Sequence, residues 1–544
     1  MPTERDYREY SIEYPRYFNF AFDVMDRHAG EIGDHVALHF IDENQNEEKI
    51  TFREIRVLSN RIANFLQSIG VQQGMRVLIM LPRVPAWWLI MIALSKLGAV
   101  AVPATTSLQA NEIEYRIRNA AIDTIFVSPA DADKLDAIHG TDLDVKNRIL
   151  VGGERENWIN FWDAVRGASD DFASGAARTP IETPMLLYFT SGTSGYPKMV
   201  LHTQSYALAH RSTTELWHDL KPDDTVWIIT DTGWAKNAWG ALYGAWYLGA
   251  TIFVHQYAHF RAERTLRLIA ECGITVFCAP PSAYRLLIHE DLGKYDFGKL
   301  RRCTSAGEAL APEIIALWKE KSGLEIYEGY GQSESVLLVG NFAGLPLRPG
   351  SMGKPSPLFN ISILDNDCSE LPPHAEGIIA VRTEPKHPEG LFTGYMNDAN
   401  LNASVFRDGW YLTGDRAYKD EDGYYWFIGR ADDVIKSLGI RIGPFEIESA
   451  LAEHEAVSEA AVIGVANRMK GQHIKAFIVL KPGYTPSVSL ARQIQSFARA
   501  VLSSYKCPKE IEFIGELPKT VNGKLRRLAL REREAHKADQ NPAT

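Results

Sequence analysis

Cysteine is scarce in this 544-residue chain: five residues, Cys272, Cys278, Cys303, Cys368 and Cys507, with no CxxC pair among them. The number is odd and the spacing irregular, which excludes a disulfide framework or a cysteine-bound zinc centre and points to a reducing compartment, read here as the cytoplasm. A long clean apolar run is also missing. The richest stretch, Ala86 to Ala104, is broken by Lys96 and Pro103, short of the ~20 residues that cross a bilayer. It reads as a buried helix running into a strand, and no membrane span is expected. The first residues carry Glu4, Asp6, Glu9 and Glu13, the wrong chemistry for a secretory signal or a transit peptide. A surplus of positive charge is absent as well: net charge is −10, which argues against a general nucleic-acid binder.

Apolar residues make up 45% of the chain, enough for several cores and too many for one. Charge is uneven. From Asp432 onward there are 17 Lys and Arg against 13 Asp and Glu, a surplus of +4, which leaves −14 on the first 431 residues. A basic C-terminal piece on an acidic body suits an anionic ligand, though chance variation accounts for it equally well. Strand-like runs (Arg76 to Leu81, Leu186 to Thr190, Val226 to Thr230, Thr251 to Val254, Thr275 to Cys278) alternate with helical ones (Ala86 to Leu97, Arg264 to Cys272, Pro312 to Ser322), the pattern of α/β layers. Beyond Gly340 the chain turns rich in Pro and Gly. The short strands Ile361 to Leu364, Gly377 to Val381 and Gly423 to Arg430 then predict a small β subdomain. The polar break Ala431-Asp432-Asp433 separates this from a mixed tail: helices Pro444 to Glu453 and Ser489 to Leu502, strands Ala460 to Val465, Ile474 to Leu480 and Ile511 to Ile514. The expected domains are 1–431 and 432–544.

The strongest local signal is Thr190-Ser191-Gly192-Thr193-Ser194-Gly195-Tyr196-Pro197-Lys198, directly after an apolar strand. Its glycines free the backbone to wrap an anion, its hydroxyls add donors and Lys198 adds charge, a combination suited to a polyphosphate. It is not the GxxxxGK[ST] loop of common NTPases. It resembles the phosphate loop of the adenylate-forming superfamily of acyl-CoA synthetases, peptide-synthetase adenylation domains and luciferases. Further motifs of that family follow in order. Tyr327-Glu328-Gly329-Tyr330-Gly331-Gln332-Ser333-Glu334 resembles its YGxTE motif with Ser333 for Thr; Tyr411-Leu412-Thr413-Gly414-Asp415 its TGD; Gly429-Arg430-Ala431-Asp432-Asp433 its GRxDD hinge; and Pro518 to Lys524 its PKTxxGK. The likeness spans roughly Ala37 to Leu530.

The resemblance implies a large N-terminal ATP- and acid-binding domain and a small mobile α+β C-terminal domain. The implied reaction is activation of a carboxylic acid by ATP and Mg²⁺ as its acyl-adenylate, then transfer to coenzyme A. Ser305-Ala306-Gly307-Glu308-Ala309 resembles the segment that lies along adenine, and Asp415 and Arg430 are the expected ribose and phosphate contacts. Glu334 is the expected Mg²⁺ ligand, since Mg²⁺ takes hard oxygens and is often held by one or two carboxylates plus phosphate. With Thr193 and Glu334, Lys524 is the expected catalytic residue: a carboxylate attacking a phosphate joins two anions, and a placed ammonium offsets the repulsion. Lys436-Ser437-Leu438-Gly439-Ile440-Arg441, Lys470, Arg499 and Cys507-Pro508-Lys509 are the expected coenzyme A side, with Asp432 as the pivot.

Trp234, Ala235, Lys236 and Trp239 occupy the family's acyl-pocket segment. Gly331 stands where acetate-specific relatives carry a tryptophan, so the expected acid is larger than acetate: medium-chain, branched, cyclic or aromatic. Arg83-Val84-Pro85-Ala86-Trp87-Trp88 and the segments around Trp234 and Glu334 most resemble medium-chain acyl-CoA synthetases. Lys236 departs from the apolar residue common there, and its side chain is expected to point to solvent. The PKxxxGK stretch also resembles the site at which related synthetases are acetylated, which would make a lysine acetyltransferase a partner acting on Lys524. Oligomeric state stays open, a homo-oligomer included. Two alternatives remain at this stage: a freestanding enzyme that loads a carrier protein, and a non-catalytic nucleotide-binding relative. Pyrophosphate exchange driven by an acid separates the second, and thioester formation with free coenzyme A the first.

Overall fold

The apolar runs that alternate with helices assemble into two largely parallel sheets. The computed structural model describes residues 7–138, 145–173, 178–190, 197–430, 433, 435–437, 440–467, 471–502, 506–519 and 525–540. It divides into two compact units: Met1–Asn360 with Thr383–Ser404, and Ile361–Arg382 with Val405–Thr544.

In the first unit, among the described residues, nine strands form one sheet. Six neighbours run parallel: Ile326–Tyr330, Arg302–Ala306, Val276–Cys278, Thr225–Ile228, Thr251–His255 and Val36–Ile41. Short antiparallel strands close each edge. Helices Ala262–Glu271, Pro281–Leu287 and Pro312–Ser322 place Leu266, Ile269, Tyr284, Leu287, Ile315 and Trp318 in one core with Trp227, Phe253, Phe277 and Ile326 of the sheet. Pro312 begins the last of these helices, where a missing N–H costs nothing. Gly323 ends it at φ +75°, a conformation glycine adopts without strain.

A second sheet of seven strands has parallel neighbours through Val100–Pro103 and Pro184–Thr190, and ends on the antiparallel strand Lys198–Thr203. The helix Pro85–Leu97 is buried along its whole length, which is why its sequence shows no polar face. Its one charge, Lys96, is fully buried and satisfied by Asp26 Oδ1 at 2.7 Å and Asn60 Oδ1 at 2.6 Å. That pairing explains how a lysine sits inside an apolar run. No helix among the described residues is long and apolar enough to cross a membrane.

In the second unit, strands Ile361–Leu364, Gly377–Arg382, Trp410–Lys419 and Tyr425–Arg430 pair antiparallel. A further sheet is built on Val457–Asn467 and Gly471–Leu480, which pair over their whole length. The helices Pro444–Ala452 and Val488–Val501 supply Ile447, Leu451, Leu490 and Ile494 to its core.

Candidate active site

Parallel strands present their carboxyl ends together, and ligands of α/β sheets gather at that edge. Three of the predicted segments start there: Asp231 to Trp234 after Thr225–Ile228, Gly307 to Ala309 after Arg302–Ala306, and Gly331 to Glu334 after Ile326–Tyr330. Gly307 leaves its strand at φ +107°, and a Cβ there would meet nothing within 4 Å, so the backbone is open to close approach by a planar ligand.

The phosphate-loop motif is the tip of a hairpin. Strand Pro184–Thr190 pairs antiparallel with Lys198–Thr203, and Thr190 lies opposite Lys198 in register. Ser191 to Tyr196, with Thr193, lie outside the described residues. Pro197, where the described chain resumes, has its carbonyl held by the Tyr115 hydroxyl at 3.2 Å.

One residue ties this hairpin to Glu334. Tyr395 forms a bridge with Val200 on the returning strand, and its ring lies 5.1 Å from the Lys198 ammonium. Its hydroxyl donates to Glu334 Oε1 at 2.7 Å. The Phe392 N–H donates to the Glu334 carbonyl at 2.7 Å, and Met396 N–H to the Met199 carbonyl at 2.9 Å, so residues 392–396 stitch the two segments together. Glu334 is itself 9% exposed. Among the described residues no cluster of three metal-ligating side chains exists. An oriented carboxylate close to Lys198 fits Mg²⁺, an ion often held by one or two carboxylates together with phosphate and water. The neighbouring backbone is pinned too: the His202 Nε2–H donates to the Ser333 carbonyl at 2.7 Å. Burial lowers the imidazole to about 4, so the ring stays neutral.

Glu328 is fully enclosed. Its carboxylate accepts from the Leu310 and Gly350 N–H groups, each at 3.2 Å, and burial pushes it up to about 8 against those two bonds. The side chain thus braces the loops flanking the Gly307–Ala309 turn. Glu308 pairs with Arg285 at 3.6 Å.

On the acyl side, Trp234 precedes the short helix Ala235–Gly240. Thr232 Oγ1 donates to the Leu81 carbonyl at 2.6 Å, and Arg83 donates to the Thr230 and Tyr257 carbonyls, which fixes where this segment starts. Gly233 is required by close packing: a Cβ would fall 2.2 Å from the Thr105 nitrogen. The expectation that Lys236 points to solvent is corrected. Its half-buried ammonium donates to the Ala306 carbonyl at 2.9 Å, because the helix begins within a lysine's reach of that strand end. The space beside Gly331 is also already used. A Cβ there would sit 2.6 Å from Trp239 Cη2 and 2.9 Å from the Val336 carbonyl, so the buried Trp239 indole lies directly over the glycine.

In the second unit Asp415 and Arg430 stand opposite each other in register, and the Arg430 guanidinium donates to Asp415 Oδ1 at 3.2 Å. Beyond them Asp433 accepts from Arg527 at 3.3 Å and Arg531 at 2.7 Å, both on the final helix Arg527–Gln540. Ile435–Ser437 and Ile440–Ile442 pair antiparallel, which puts Ile440 and Arg441 on the returning strand. Arg499 and Lys509 are exposed, whereas Cys507 and Pro508 are buried and the Cys507 thiol faces the Leu502 carbonyl at 3.9 Å. Asp432, Leu438, Gly439, Lys470 and Lys524 lie outside the described residues.

The AMP-binding enzyme family matches residues 25–396, and the AMP-binding enzyme C-terminal domain matches 446–524. The chain belongs to the AMP-binding enzyme family. Among curated members, it is 42% identical over 537 residues to the mitochondrial acyl-coenzyme A synthetase ACSM3 of Mus musculus, covering 97% of this chain and 92% of that one. It is 41% identical over 530 residues to the mitochondrial ACSM5 of Homo sapiens, covering 96% and 91%. Among solved structures of AMP-binding enzymes, the anthranilate CoA ligase AuaEII with anthranoyl-AMP superposes with a TM-score of 0.89 at 30% identity, covering 97% of this chain and 99% of that one. These likenesses overturn the cytoplasmic reading, since the curated relatives are mitochondrial proteins. Five free thiols say only that disulfides do not form, a property the cytoplasm does not own.

Tyr395, the residue that joins Lys198 to Glu334, escaped sequence reasoning. Its signal was faint: Gly394, at φ +131°, precedes an aromatic in a stretch otherwise rich in turn residues. Arg83 was noticed only as part of a likeness, and its bracing of the acyl segment comes from contacts about 150 residues away in sequence.

Proposed function

We propose that this AMP-forming acyl-CoA synthetase, an acid–thiol ligase using ATP, Mg²⁺ and coenzyme A, acts on acids larger than acetate, in the medium-chain, branched, cyclic or aromatic range. The observation that carries the assignment of its site is the Lys198–Tyr395–Glu334 contact, which joins the cation at the start of the returning strand to an oriented carboxylate. The triphosphate lies in the loop 190–198, with Gly307 to Ala309 and Glu328 to Ser333 along the nucleotide and Asp415 and Arg430 at the ribose. Glu334 would hold Mg²⁺, which would supply positive charge against the phosphates. Lys524 draws the acid's carboxylate and the α-phosphate together. A carboxylate oxygen attacks the α-phosphorus, the bond to pyrophosphate breaks, and acyl-adenylate and pyrophosphate result. The thiol of coenzyme A then attacks the acyl carbon, its proton passes to solvent, and AMP leaves with both electrons of the broken C–O bond. No covalent enzyme intermediate is needed, because the acyl phosphate is already activated.

Between the half-reactions the segment 432–544 turns on Asp432 and exchanges Lys524 for the loop 436–441, with Lys470, Arg499 and Cys507 to Lys509 on the coenzyme side. Two anchors flank the pivot and support this reading: Arg430 is tied to Asp415 before it, and Asp433 to Arg527 and Arg531 after it. Lys524 is also the proposed target of an acetyltransferase, since acetylation removes the charge that adenylation needs. A homo-oligomer is compatible with this chemistry, which needs nothing from a second copy.

The test is a panel of straight, branched, cyclic and aromatic acids, read first by ATP–pyrophosphate exchange and then by AMP release with free coenzyme A. Exchange and thioester formation with acids of about six or more carbons are expected. Exchange without thioester formation would favour carrier loading, and no exchange with any acid would remove the assignment.

A further inference from the structure

Buried polar side chains are almost always hydrogen-bonded, because leaving one unpaired forfeits its hydration without return. Next to the acyl segment several break that rule. Tyr206 is 1% exposed, and its hydroxyl meets only the Trp239 indole N–H, in a loose contact that leaves its own donor unused. His210 is fully buried, and neither ring nitrogen has one. On the neighbouring helix Ala235–Gly240 the Asn237 amide nitrogen is unpaired as well.

These groups are neighbours. Tyr206 and His210 lie one turn apart on helix Ser205–Ser212, with ring centroids 4.4 Å apart. Tyr206 stacks at 3.8 Å on His202, the residue that holds the Ser333 carbonyl, so it sits directly beneath the Gly331–Glu334 segment. The Trp239 indole N–H donates loosely to the Tyr206 hydroxyl, and the edge of the same indole covers Gly331. Tyr243 closes the far side, 6.2 Å from His210 and 6.4 Å from Tyr206.

Burial keeps both rings uncharged: it raises the Tyr206 phenol, with Tyr243 adding to the effect against the Trp239 hydrogen bond, and lowers the His210 imidazole. A neutral imidazole offers one donor and one acceptor, and a phenol the same. An anionic or cationic tail would be desolvated here without a countercharge, whereas a hydroxyl matches the set.

We propose that Tyr206 and His210 form a polar end to the acyl pocket, and that the preferred acids carry a neutral hydroxyl group on the tail. The proposal rests on the acyl-CoA synthetase reading and on the acyl pocket lying at Trp234 to Trp239 and Gly331. An apolar pocket barely distinguishes an acid from its hydroxylated form, but a pocket with buried groups to satisfy rejects the form that lacks the hydroxyl.

The test compares kcat/KM for matched pairs of acids, each parent with its hydroxylated counterpart, straight-chain and aromatic, in the full-length enzyme. For at least one pair the hydroxylated acid is expected to be preferred about tenfold or more. Tyr206→Phe, which removes only an oxygen, and His210→Asn should each bring that ratio towards one, whatever happens to the absolute rates. Preference for the parent acid in every pair would overturn the proposal, as would a ratio untouched by both variants. If a variant fails to fold, the wild-type ratios decide alone. Failure of the acyl-CoA synthetase reading looks different, since then neither member of any pair supports exchange.

Discussion

At the scale of single residues, Tyr395 joins two side chains of the proposed phosphate site. Its hydroxyl fixes Glu334 and its ring meets the Lys198 ammonium. Groups that orient a metal-binding carboxylate typically matter about 10- to 100-fold. Tyr395→Phe keeps the ring and loses the hydroxyl, so the Mg²⁺ concentration for half-maximal pyrophosphate exchange should rise about tenfold. An unchanged Mg²⁺ requirement would make Tyr395 a packing residue only. Gly331 allows a second prediction. Because Trp239 already lies over it, Gly331→Ala must displace the indole, and on the proposed placement of the acyl pocket this takes space from the acid. Activity on larger acids should fall about tenfold relative to short ones, and Gly331→Trp should go further. A chain-length profile identical to wild type would show that Trp239 does not bound the pocket.

At the scale of elements, the carboxyl ends of the parallel strands gather segments from distant parts of the chain, and Glu328 supports two of the intervening loops. Its ordinary value of 4.5 is raised to about 8 by burial. Between those values the folded protein holds a proton that the unfolded chain has released. Glu328 therefore contributes full stability below its ordinary value, and that contribution is lost as pH rises towards 8. Melting temperature should fall from about pH 5 to about pH 8, and Glu328→Gln should remove that part of the slope. An equal slope in both proteins would mean the carboxyl is ionised throughout.

What the sequence made legible, and what it hid, divides at this same scale. The motifs around Lys198, Glu334 and Asp415 could be read because each places its chemistry within a few consecutive residues, and strand-to-helix alternation announced the α/β layers. The contacts that assemble those motifs could not be read. Tyr395 lies 61 residues from Glu334 in the chain, and Arg83 lies 147 residues from Thr230, so no local pattern carries the pairing. Lys236 follows the same rule: a lysine next to an apolar segment looks solvated in sequence, and only the fold places the Ala306 carbonyl beside it. Tyr206 and the unpaired His210 are ordinary helix residues in sequence and become unusual only when buried.

At the scale of the whole molecule, the proposed chemistry needs one site to serve two reactions in turn. A pivot at Asp432 must change backbone torsions within a residue or two. Asp432→Pro fixes φ near about −65° and should trap one arrangement. Adenylation should survive while thioester formation falls, and equal loss of both would count against a pivot there. The most direct test of the two-reaction account is Lys524→Ala, assayed separately in each half. The ammonium is needed when carboxylate meets phosphate and not when thiol meets the finished acyl-adenylate. The variant should lose acid-driven pyrophosphate exchange yet still turn supplied acyl-adenylate and coenzyme A into thioester. Loss of both half-reactions to the same extent would contradict the account.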